Sequence, residues 1–209
     1  MPAYKISLMK IHFITPAAIL LILALCSWQS TEPLKEWEEF SRLKNKKVLM
    51  KWLRISALSI CSGEKKISPC NLKLPGAYGR AGLFITLIKN GKVRGCFGAF
   101  DHSETDTAIL ISKYLKGALS YDPRHAPLEL YELDETDIII TITSRPEPVE
   151  NLNNVDITHF GVFIECEGKA GTVLVPAEYK TASRLNRNNR YKNCRLSRFR
   201  AVTIREDHR

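Results

Sequence analysis

The sequence predicts an α+β domain in which packed helices lie against a mainly antiparallel sheet. Three observations support this class. Apolar residues recur at helical spacing before residue 61, Asn90-Gly91 separates two apolar runs, and a second pair of β-rich runs flanks Lys169-Ala170. Runs joined by tight turns are typical of antiparallel hairpins, because successive parallel strands need a long crossover. With 209 residues, the chain is long enough for one domain with a full core.

Two segments have the apolar spacing of helices. In the first, between Leu34 and Cys61, the apolar residues are Trp37, Phe40, Leu43, Val48, Leu49, Trp52, Leu53 and Ile55. The second follows Ser103-Glu104-Thr105-Asp106, which has the spacing of a capping box, and we expect it to end at Asp122-Pro123. Its expected core face carries Ile109, Leu110, the Lys113 stem, Leu115, Ala118 and Leu119.

The remaining structured segments read as strands. They are Leu83–Ile88 and Val93–Phe100 around a type I′ turn at Asn90-Gly91, the β-branched run Asp137–Ser144, a second hairpin of Gly161–Gly168 with Gly171–Pro176, and a closing strand at Phe199–Ile204. Arg145-Pro146-Glu147-Pro148 ends the central run. Helix, hairpin, helix, strand, hairpin and strand in this order predict the antiparallel α+β class.

The first hairpin presents Cys96 between two glycines and after an arginine. A two-residue turn places Cys96 opposite Ile85, Arg94 opposite Leu87 and Gly98 opposite Leu83, so Arg94, Cys96 and Gly98 share one face. A nearby guanidinium favours the reactive thiolate. Gly95 and Gly98 leave room for a ligand atom or for another element of the protein.

A second interpretation makes Cys96 a small apolar residue of the core, since unpaired cysteines are often buried. A nucleophilic cysteine would also need a base, for which His102, His125 and His159 are the candidates. The sequence alone leaves these two interpretations open.

An apolar run near the N-terminus predicts export. Lys5 and Lys10 precede the uninterrupted run Pro16–Cys26, and polar residues follow from Ser27. A positive region, an apolar stretch of this length and small residues at its end are typical of a secretory signal over residues 1–26.

This predicted signal is cleaved, lipidated or retained as an anchor, and the sequence leaves the three alternatives open. Cleavage before Ser27 follows the small residues Ala24 and Cys26, whereas lipidation of Cys26 uses Leu23–Cys26, in which Leu25 departs from the usual small residue. An uncleaved anchor over residues 11–28 is the third form. Each form exports the rest of the chain to the cell envelope, as a periplasmic or a membrane-anchored protein.

An exported chain can form disulfides. With Cys26 set aside, five cysteines remain, so at least one thiol stays unpaired within the chain. Cys61 and Cys70 flank a short loop and are the expected pair by proximity. No cysteine or histidine pair has metal-ligand spacing, and we expect no metal site.

The basic charge is concentrated at the C-terminus. Residues 180–209 hold ten of the 31 basic residues but only Glu206 and Asp207 of the 22 acidic ones. A basic tail attracts phosphate groups, but aromatic interleaving and nucleic-acid motifs are absent, so we do not expect nucleic acid as a partner. A solubilising tail is the preferred interpretation.

Several motifs in order resemble the AMMECR-type domain, a family named after a chromosomal region linked to Alport syndrome, midface hypoplasia and elliptocytosis. The matching motifs are Gly82–Leu87, Val93-Arg94-Gly95-Cys96-Phe97-Gly98, Asp122-Pro123-Arg124, Glu132-Leu133-Asp134 and Ser144–Pro148. The resemblance covers roughly residues 45–176. It implies an α+β fold with a cavity near the Arg-Gly-Cys motif, an activity that is not established, and a pathway shared with Memo-like or radical-SAM proteins.

The chain departs from the family pattern at several places. His125 replaces a phenylalanine, Thr158-His159-Phe160-Gly161 stands where the family has Gly-Lys-His-Gly, and Ala177 replaces a glutamine. The family's C-terminal helix, with its tryptophan, is either deleted here or replaced by the basic run from Lys180.

These observations give four expected segments: a signal over residues 1–26, a linker with the first helix over 27–44, the family-like domain over 45–179, and the basic segment with its closing strand over 180–209. The expected function is a module at the membrane surface that binds a small ligand or a protein partner and is held there through its N-terminus. Its binding residues would be Gly95, Gly98, Arg124, His125 and His159.

The alternative is an enzyme, or a component of one, in which Cys96 acts as a nucleophile or redox thiol. Arg94 would be its electrostatic partner. No pattern in the sequence indicates a particular cofactor.

Overall fold

The computed structural model describes residues 32–42, 44–64, 67–77, 81–152, 155–156, 159–168, 171–176, 191 and 193–206. Its elements are α1 (Glu32–Arg42), α2 (Asn45–Cys61), β1 (Gly82–Lys89), β2 (Lys92–Ala99), α3 (Thr107–Ser120), a 3-10 helix (Leu130–Glu135), β3 (Thr136–Thr143), β4 (Glu147–Pro148), β5 (Phe160–Cys166), β6 (Thr172–Leu174) and β7 (Cys194–Arg205). Helices and one curled antiparallel sheet confirm the α+β class. The predicted signal, Cys26 and residues 180–190 lie outside the described residues.

The sheet runs in the order β2-β1-β3-β7-β5-β6, with β4 paired to β7. Both predicted hairpins are confirmed, as β1 with β2 and β5 with β6. The closing strand β7 is longer than predicted, because its first half pairs with β5 and its second half with β3. One long strand therefore joins the two halves of the sheet.

The main core lies between the helices and one face of β1, β3 and β7. Leu83, Ile85 and Leu87 alternate along β1 toward this core, and Ile138, Ile140, Ile142, Val202 and Ile204 continue it across the sheet. A smaller core under β5 and β6 holds Leu152, Val155, Val162, Ile164 and Leu174. The opposite face of β1 and β3 is also buried, since Phe84, Thr86, Ile139, Thr141 and Thr143 are each at most 6% exposed.

The helical segment before residue 61 forms two helices, α1 and α2. Two of its apolar residues point outward, since Val48 is 51% and Ile55 43% exposed. The buried face of α2 instead carries Leu49, Met50, Trp52, Leu53 and Ala57. The predicted face was wrong for Val48 and Ile55, because the 3.6-residue period places them on the side of Lys51.

The N-cap of α3 lies three residues after Ser103, the first residue of the predicted capping box. Asp106 is the N-cap, and its carboxylate accepts hydrogen bonds from the backbone N–H groups of Ala108 and Ile109. Ile109, expected in the core, is 54% exposed. Lys113, whose stem was expected on the same face, is exposed as well. The other predicted core residues, Leu110, Leu115, Ala118 and Leu119, are buried, together with Ile111 and Tyr114.

Candidate functional site

The strand that carries Cys96 contains a bulge that the turn alone does not predict. Asn90 and Gly91 have φ values of 52° and 68°, as a type I′ turn requires. Val93 pairs with Ile88 as predicted, but Gly95 pairs with Leu87 and Cys96 with Thr86. Arg94 is therefore the extra residue, and the predicted pairs of Cys96 with Ile85, of Arg94 with Leu87 and of Gly98 with Leu83 are wrong.

The bulge directs Arg94 toward the segment that runs along the outer edge of β2. Its guanidinium binds the Glu132 carboxylate through two bonds, of 3.1 Å from Nε and 2.7 Å from Nη2. It also donates to the carbonyl oxygens of Ala126 and Pro127. This set of acceptors accounts for the position of Arg94 and balances its charge.

Glu132 is the centre of this edge network. Its carboxylate also accepts from Lys89 Nζ at 3.2 Å and from the backbone N–H of Glu129 at 3.1 Å. The hydrogen bonds from Arg94, with smaller contributions from Glu129 and Lys89, lower the pKa of Glu132 to about 2. Glu132 is therefore ionised at neutral pH and fixes the 3-10 helix to the first hairpin.

A second carboxylate, from Asp122, fixes Cys96 itself. Asp122 Oδ2 accepts the backbone N–H of Cys96 at 2.8 Å, and the Asp122 side chain is only 3% exposed. The Cys96 side chain contacts the neighbouring strand β1, where its Sγ lies 3.4 Å from Thr86 Oγ1. Cys96 is half-buried and forms no disulfide with another cysteine of the described ranges. The backbone of the thiol residue is thus held by one loop and its Sγ by one neighbouring strand.

Asp122 also holds Arg124. Nε and Nη2 of Arg124 donate to the two oxygens of Asp122 at 2.9 and 2.7 Å, and the Arg124 backbone N–H donates at 3.0 Å. These bonds, the side-chain ones foremost, hold the pKa of Asp122 far below its usual range. The Arg124 side chain remains 61% exposed. A guanidinium open to solvent is therefore linked to Cys96 through one buried carboxylate.

The two glycines beside Cys96 are explained by packing within the chain. A Cβ on Gly95 would clash with the Ala118 carbonyl oxygen at the end of α3, and a Cβ on Gly98 would clash with Leu83 O and come within 2.6 Å of Phe84. Gly95 therefore lets α3 approach β2, and Gly98 makes room for the Phe84 ring. Of the two uses for this space expected from the sequence, contact with another element of the protein accounts for both glycines.

The register places Cys96 on a sheet face rich in hydroxyl groups. Residues directly opposite each other on neighbouring strands share a face, and this one is the face turned away from the main core. Its rows are Cys96, Thr86, Ile139 and Arg205; Gly98, Phe84, Thr141 and Thr203; and Gly82, Thr143 and Ala201. We call this set of residues the Cys96 face.

Two hydroxyl groups of the Cys96 face have no hydrogen-bond partner among the described residues. Thr141 and Thr143 are fully buried, and within the part of the chain that the structure describes neither Oγ1 atom has a hydrogen-bond partner. A buried hydroxyl without a partner costs about 1–3 kcal/mol. Such groups in a folded protein call for a physical reason, and a bound ligand is one of those reasons.

Aromatic rings border these hydroxyl groups. The Phe100 ring lies 5.0 Å from that of Phe84, 4.9 Å from Phe163 and 5.2 Å from Phe199, measured between centroids. This cluster joins the first hairpin to β5 and β7. The Cys96 face therefore combines a thiol, hydroxyl groups and an apolar aromatic wall.

The predicted histidines occupy three different environments. His125 lies in the loop after Asp122, to whose carbonyl it donates its backbone N–H. His159 is 76% exposed before β5, with Nδ1 2.6 Å from Asp156 Oδ2. His102 is buried, with its ring nitrogens on the Tyr114 hydroxyl and the Ala81 carbonyl, and burial lowers its pKa. Both ring nitrogens of His102 are thus used within the fold.

The disulfide differs from the predicted one. Cys166 and Cys194 form a bond between β5 and β7, where they are direct cross-strand partners. Cys61 and Cys70, the pair expected from sequence proximity, carry reduced thiols. Burial, together with Glu129 and Glu132, raises the pKa of the Cys61 thiol.

The described residues contain neither a cluster suited to a metal ion nor a membrane-spanning helix. No group of three or more His, Cys, Asp or Glu side chains among them is arranged to hold a metal ion. Nor does any helix in the described ranges combine the length and apolar character needed to cross a bilayer.

Sequence reasoning missed Asp122, Glu132 and the threonines as site residues. Asp122 and Glu132 belong to the motifs Asp122-Pro123-Arg124 and Glu132-Leu133-Asp134, to whose acidic residues the sequence alone assigns no function. Two acidic residues in these motifs, in a chain whose Arg-Gly-Cys strand carries an arginine, were the sequence feature that could have predicted ion pairs at this strand. Thr141 and Thr143 alternate with isoleucines in β3, a pattern that indicates a second, polar face.

Comparisons with known proteins agree with this fold. The AMMECR1 family model matches residues 40–202. A curated protein of Thermotoga maritima is 34% identical over 100 residues, which are 47% of this chain and 58% of that protein. One from Methanosarcina barkeri is 31% identical over 131 residues, 57% of this chain and 64% of that protein. The chain thus spans less than two thirds of these relatives.

A solved structure supports the same architecture. The uncharacterised protein PH0010 from Pyrococcus horikoshii superposes with a TM-score of 0.58 at 19% identity, covering 77% of this chain and 90% of that one. At this identity the likeness concerns the fold alone. The family match extends from the end of α1 into β7 and includes the bulged Arg-Gly-Cys strand, its two carboxylate contacts and the curled sheet. This chain therefore belongs to the AMMECR1 family.

Proposed function

We propose that this chain is an exported AMMECR1-family protein that binds a small ligand on the Cys96 face, at the membrane surface. The observation that carries the ligand proposal is the pair of buried hydroxyl groups of Thr141 and Thr143, which lack hydrogen-bond partners in the described structure. A ligand that exchanges hydrogen bonds with them would recover the free energy that their burial costs.

The surroundings of these hydroxyl groups define the ligand's chemistry. Phe84 and Phe100 offer ring surfaces, which favour a planar or apolar portion. Thr86 and Cys96 add polar atoms at the other end of the same face. Arg124, presented by Asp122, adds a positive charge near this end, which favours an anionic group.

Native mass spectrometry of the full chain, isolated from the cells that make it, tests ligand binding. The proposal predicts a discrete added mass on the wild type that is lost from the double variant Thr141→Val, Thr143→Val, because valine keeps the shape but removes both hydroxyl groups. The variant Thr203→Val, on the same face, is the matched control. A wild-type chain that carries no added mass, or an added mass that the double variant retains, contradicts the proposal.

Export is supported by two independent features. The run Pro16–Cys26 after Lys5 and Lys10 has the pattern of a secretory signal. The Cys166–Cys194 disulfide is of a kind that persists mainly in oxidising compartments. A signal that keeps the N-terminus in or on the bilayer, by lipid on Cys26 or as an anchor, would hold the domain at the membrane surface.

Mass spectrometry of the mature protein after thiol labelling tests this part. It reports the N-terminal residue, any lipid on Cys26, and the state of Cys166 and Cys194 in one measurement. We expect processing near Ser27 or retention in the membrane fraction, together with an intact disulfide. An unprocessed chain in the soluble fraction with both cysteines alkylated would exclude export.

The second candidate function is thiol chemistry at Cys96. It is favoured by the fixed geometry of this residue, whose N–H is held by Asp122 while Sγ lies 3.4 Å from the Thr86 hydroxyl. Fast alkylation of Cys96 at neutral pH, relative to Cys61 and Cys70 in the same chain, would support it. Slow alkylation of Cys96, with function intact in Cys96→Ser, would leave ligand binding as the function.

A further inference from the structure

Helix α2 has an outer face that combines apolar and basic side chains. Val48, Ile55 and Leu58 are 51%, 43% and 50% exposed, and they are three of the eight large apolar side chains that stay exposed among the described residues. Lys44, Lys47 and Lys51 are exposed between and beside them. We call these six residues the basic apolar face.

The rotation of α2 is fixed by its other side. Leu49, Met50, Trp52, Leu53 and Ala57 are buried in the main core. The basic apolar face is therefore presented outward by a helix that is packed on the domain, and it does not depend on partial unfolding.

The charge of α2 is entirely positive. From Asn45 to Cys61 the helix has four basic residues and no Asp or Glu. One of the four, Arg54, is used inside the fold, where it binds Glu206 and the carbonyl oxygens of Leu133 and Thr136. Lys47 and Lys51 lie instead among the exposed apolar residues.

Lysines interleaved with aliphatic residues on an outward helix face complement an anionic bilayer surface. The aliphatic side chains enter the boundary between headgroups and acyl chains, while the ammonium groups pair with lipid phosphates. A protein partner would be expected to place carboxylates opposite these lysines. The centre of a protein–protein interface also usually holds few charged residues, whereas this face has several. The charge pattern therefore favours lipid as the occupant of this face.

The position of α2 in the chain agrees with this occupant. Only Ser27–Thr31 and α1 separate the apolar run ending at Cys26 from the α1–α2 turn. Five extended residues reach at most about 18 Å, and an 11-residue helix adds about 17 Å. An N-terminus held in the bilayer would thus keep the start of α2 within about 35 Å of it.

We propose that the basic apolar face of α2 lies on the membrane and sets the orientation of the domain. This inference rests on the membrane-surface location in the proposed function and adds to it which surface meets the lipid. The occupant is the anionic lipid headgroup layer.

Photo-crosslinking in vesicles tests the inference. Benzoylphenylalanine replaces Ile55 in the full chain, and in a matched control it replaces Ile109, a 54% exposed isoleucine on α3. Both proteins are reconstituted in phosphatidylcholine vesicles with or without phosphatidylglycerol. We expect lipid adducts at position 55 to exceed those at position 109 by about tenfold in anionic vesicles, and Lys47→Glu with Lys51→Glu to remove most of that excess.

Other outcomes overturn the inference. Equal yields of lipid adduct at positions 55 and 109 would do so. So would a yield at position 55 that changes neither with phosphatidylglycerol nor with charge reversal, and so would adducts to protein instead of lipid. A chain that does not float with vesicles refutes the membrane-surface location as well. A chain that floats but gives no lipid adduct at position 55 refutes only the assignment of α2.

Discussion

At the scale of single residues, two carboxylates account for the geometry around Cys96. Asp122 holds the backbone of Cys96 and the guanidinium of Arg124, and Glu132 holds Arg94 and Lys89. Hydrogen bonds to charged groups contribute about 1.5–3 kcal/mol each, more than neutral ones. The motifs Arg-Gly-Cys, Asp-Pro-Arg and Glu-Leu-Asp are thus three parts of one connected unit.

The substitution Asp122→Asn tests this role through the pH dependence of stability. The folded-state pKa of Asp122 lies far below its unfolded value, so its stabilising effect is fully present above about pH 4–5 and is lost as the pH falls toward the folded-state pKa. We expect the variant to be less stable by about 1–3 kcal/mol at pH 7. Urea unfolding at pH 7 and at pH 3 measures both values.

The difference between wild type and Asp122→Asn should shrink at pH 3. A control with Asp134→Asn, whose carboxylate is exposed, should show no such change. A constant difference at both pH values would mean that the charge of Asp122 does not stabilise the fold.

At the scale of elements, the contact of α3 with β2 depends on the missing side chain of Gly95. The Ala118 carbonyl at the end of α3 occupies the place of a Cβ at that position, and Phe97 packs on Gly117, one residue earlier. This close approach brings the loop that follows α3, with Asp122 and Arg124, to the outer edge of β2. The helix–strand contact therefore places the loop that holds Cys96.

We expect Gly95→Ala to cost about 1–3 kcal/mol, because the backbone of α3 must move to admit a methyl group. Gly76→Ala is the matched control, since its Cβ meets nothing within 4 Å and its φ is not positive. Thermal or urea unfolding measures both. Equal effects of the two substitutions would show that α3 does not press on Gly95.

The second half of the sheet has a small core and a disulfide. Within the described ranges that core has five buried members, and Cys166 is linked to Cys194 across a separation of 28 residues. Replacing both cysteines by serine should lower stability by about 3 kcal/mol. Hydrogen exchange should increase in β5 and β6 more than in β1 and β3. Unchanged exchange in β5 and β6 would mean that the disulfide is dispensable there.

At the scale of the whole molecule, the sequence was sufficient for the class of fold and for most elements. Asn90-Gly91 predicted the first hairpin because only a few residue types accept two successive positive φ values. The bulge at Arg94 was not predictable from that turn, and the bulged Arg94 pairs with Glu132, which is 38 residues away in the chain. The register of the Cys96 face followed the bulge and was missed with it.

The disulfide and the site carboxylates were missed for the same physical reason. Cys166 meets Cys194 only because β7 returns antiparallel to β5, and Asp122 meets Cys96 only because α3 packs closely on β2. Such contacts are decided by tertiary packing between distant segments, whereas turn chemistry and periodicity report on neighbours in the chain.

The central claim, that the Cys96 face is a ligand site, is tested most directly by the effect of Thr141→Val on the melting temperature in two states. One is the full chain as isolated from its cells, and the other is the same chain after unfolding in guanidinium with the disulfide intact, removal of small molecules and refolding. Thr136→Val is the control, because the Thr136 hydroxyl donates to the Glu132 carbonyl at 2.8 Å.

We expect Thr136→Val to lower the melting temperature in both states. Thr141→Val should raise it in the ligand-free state, because valine removes a buried hydroxyl that costs about 1–3 kcal/mol, and lower it in the state as isolated, because the ligand loses its hydrogen bond. A rise in both states would show that no ligand uses the hydroxyl, and it would contradict the claim.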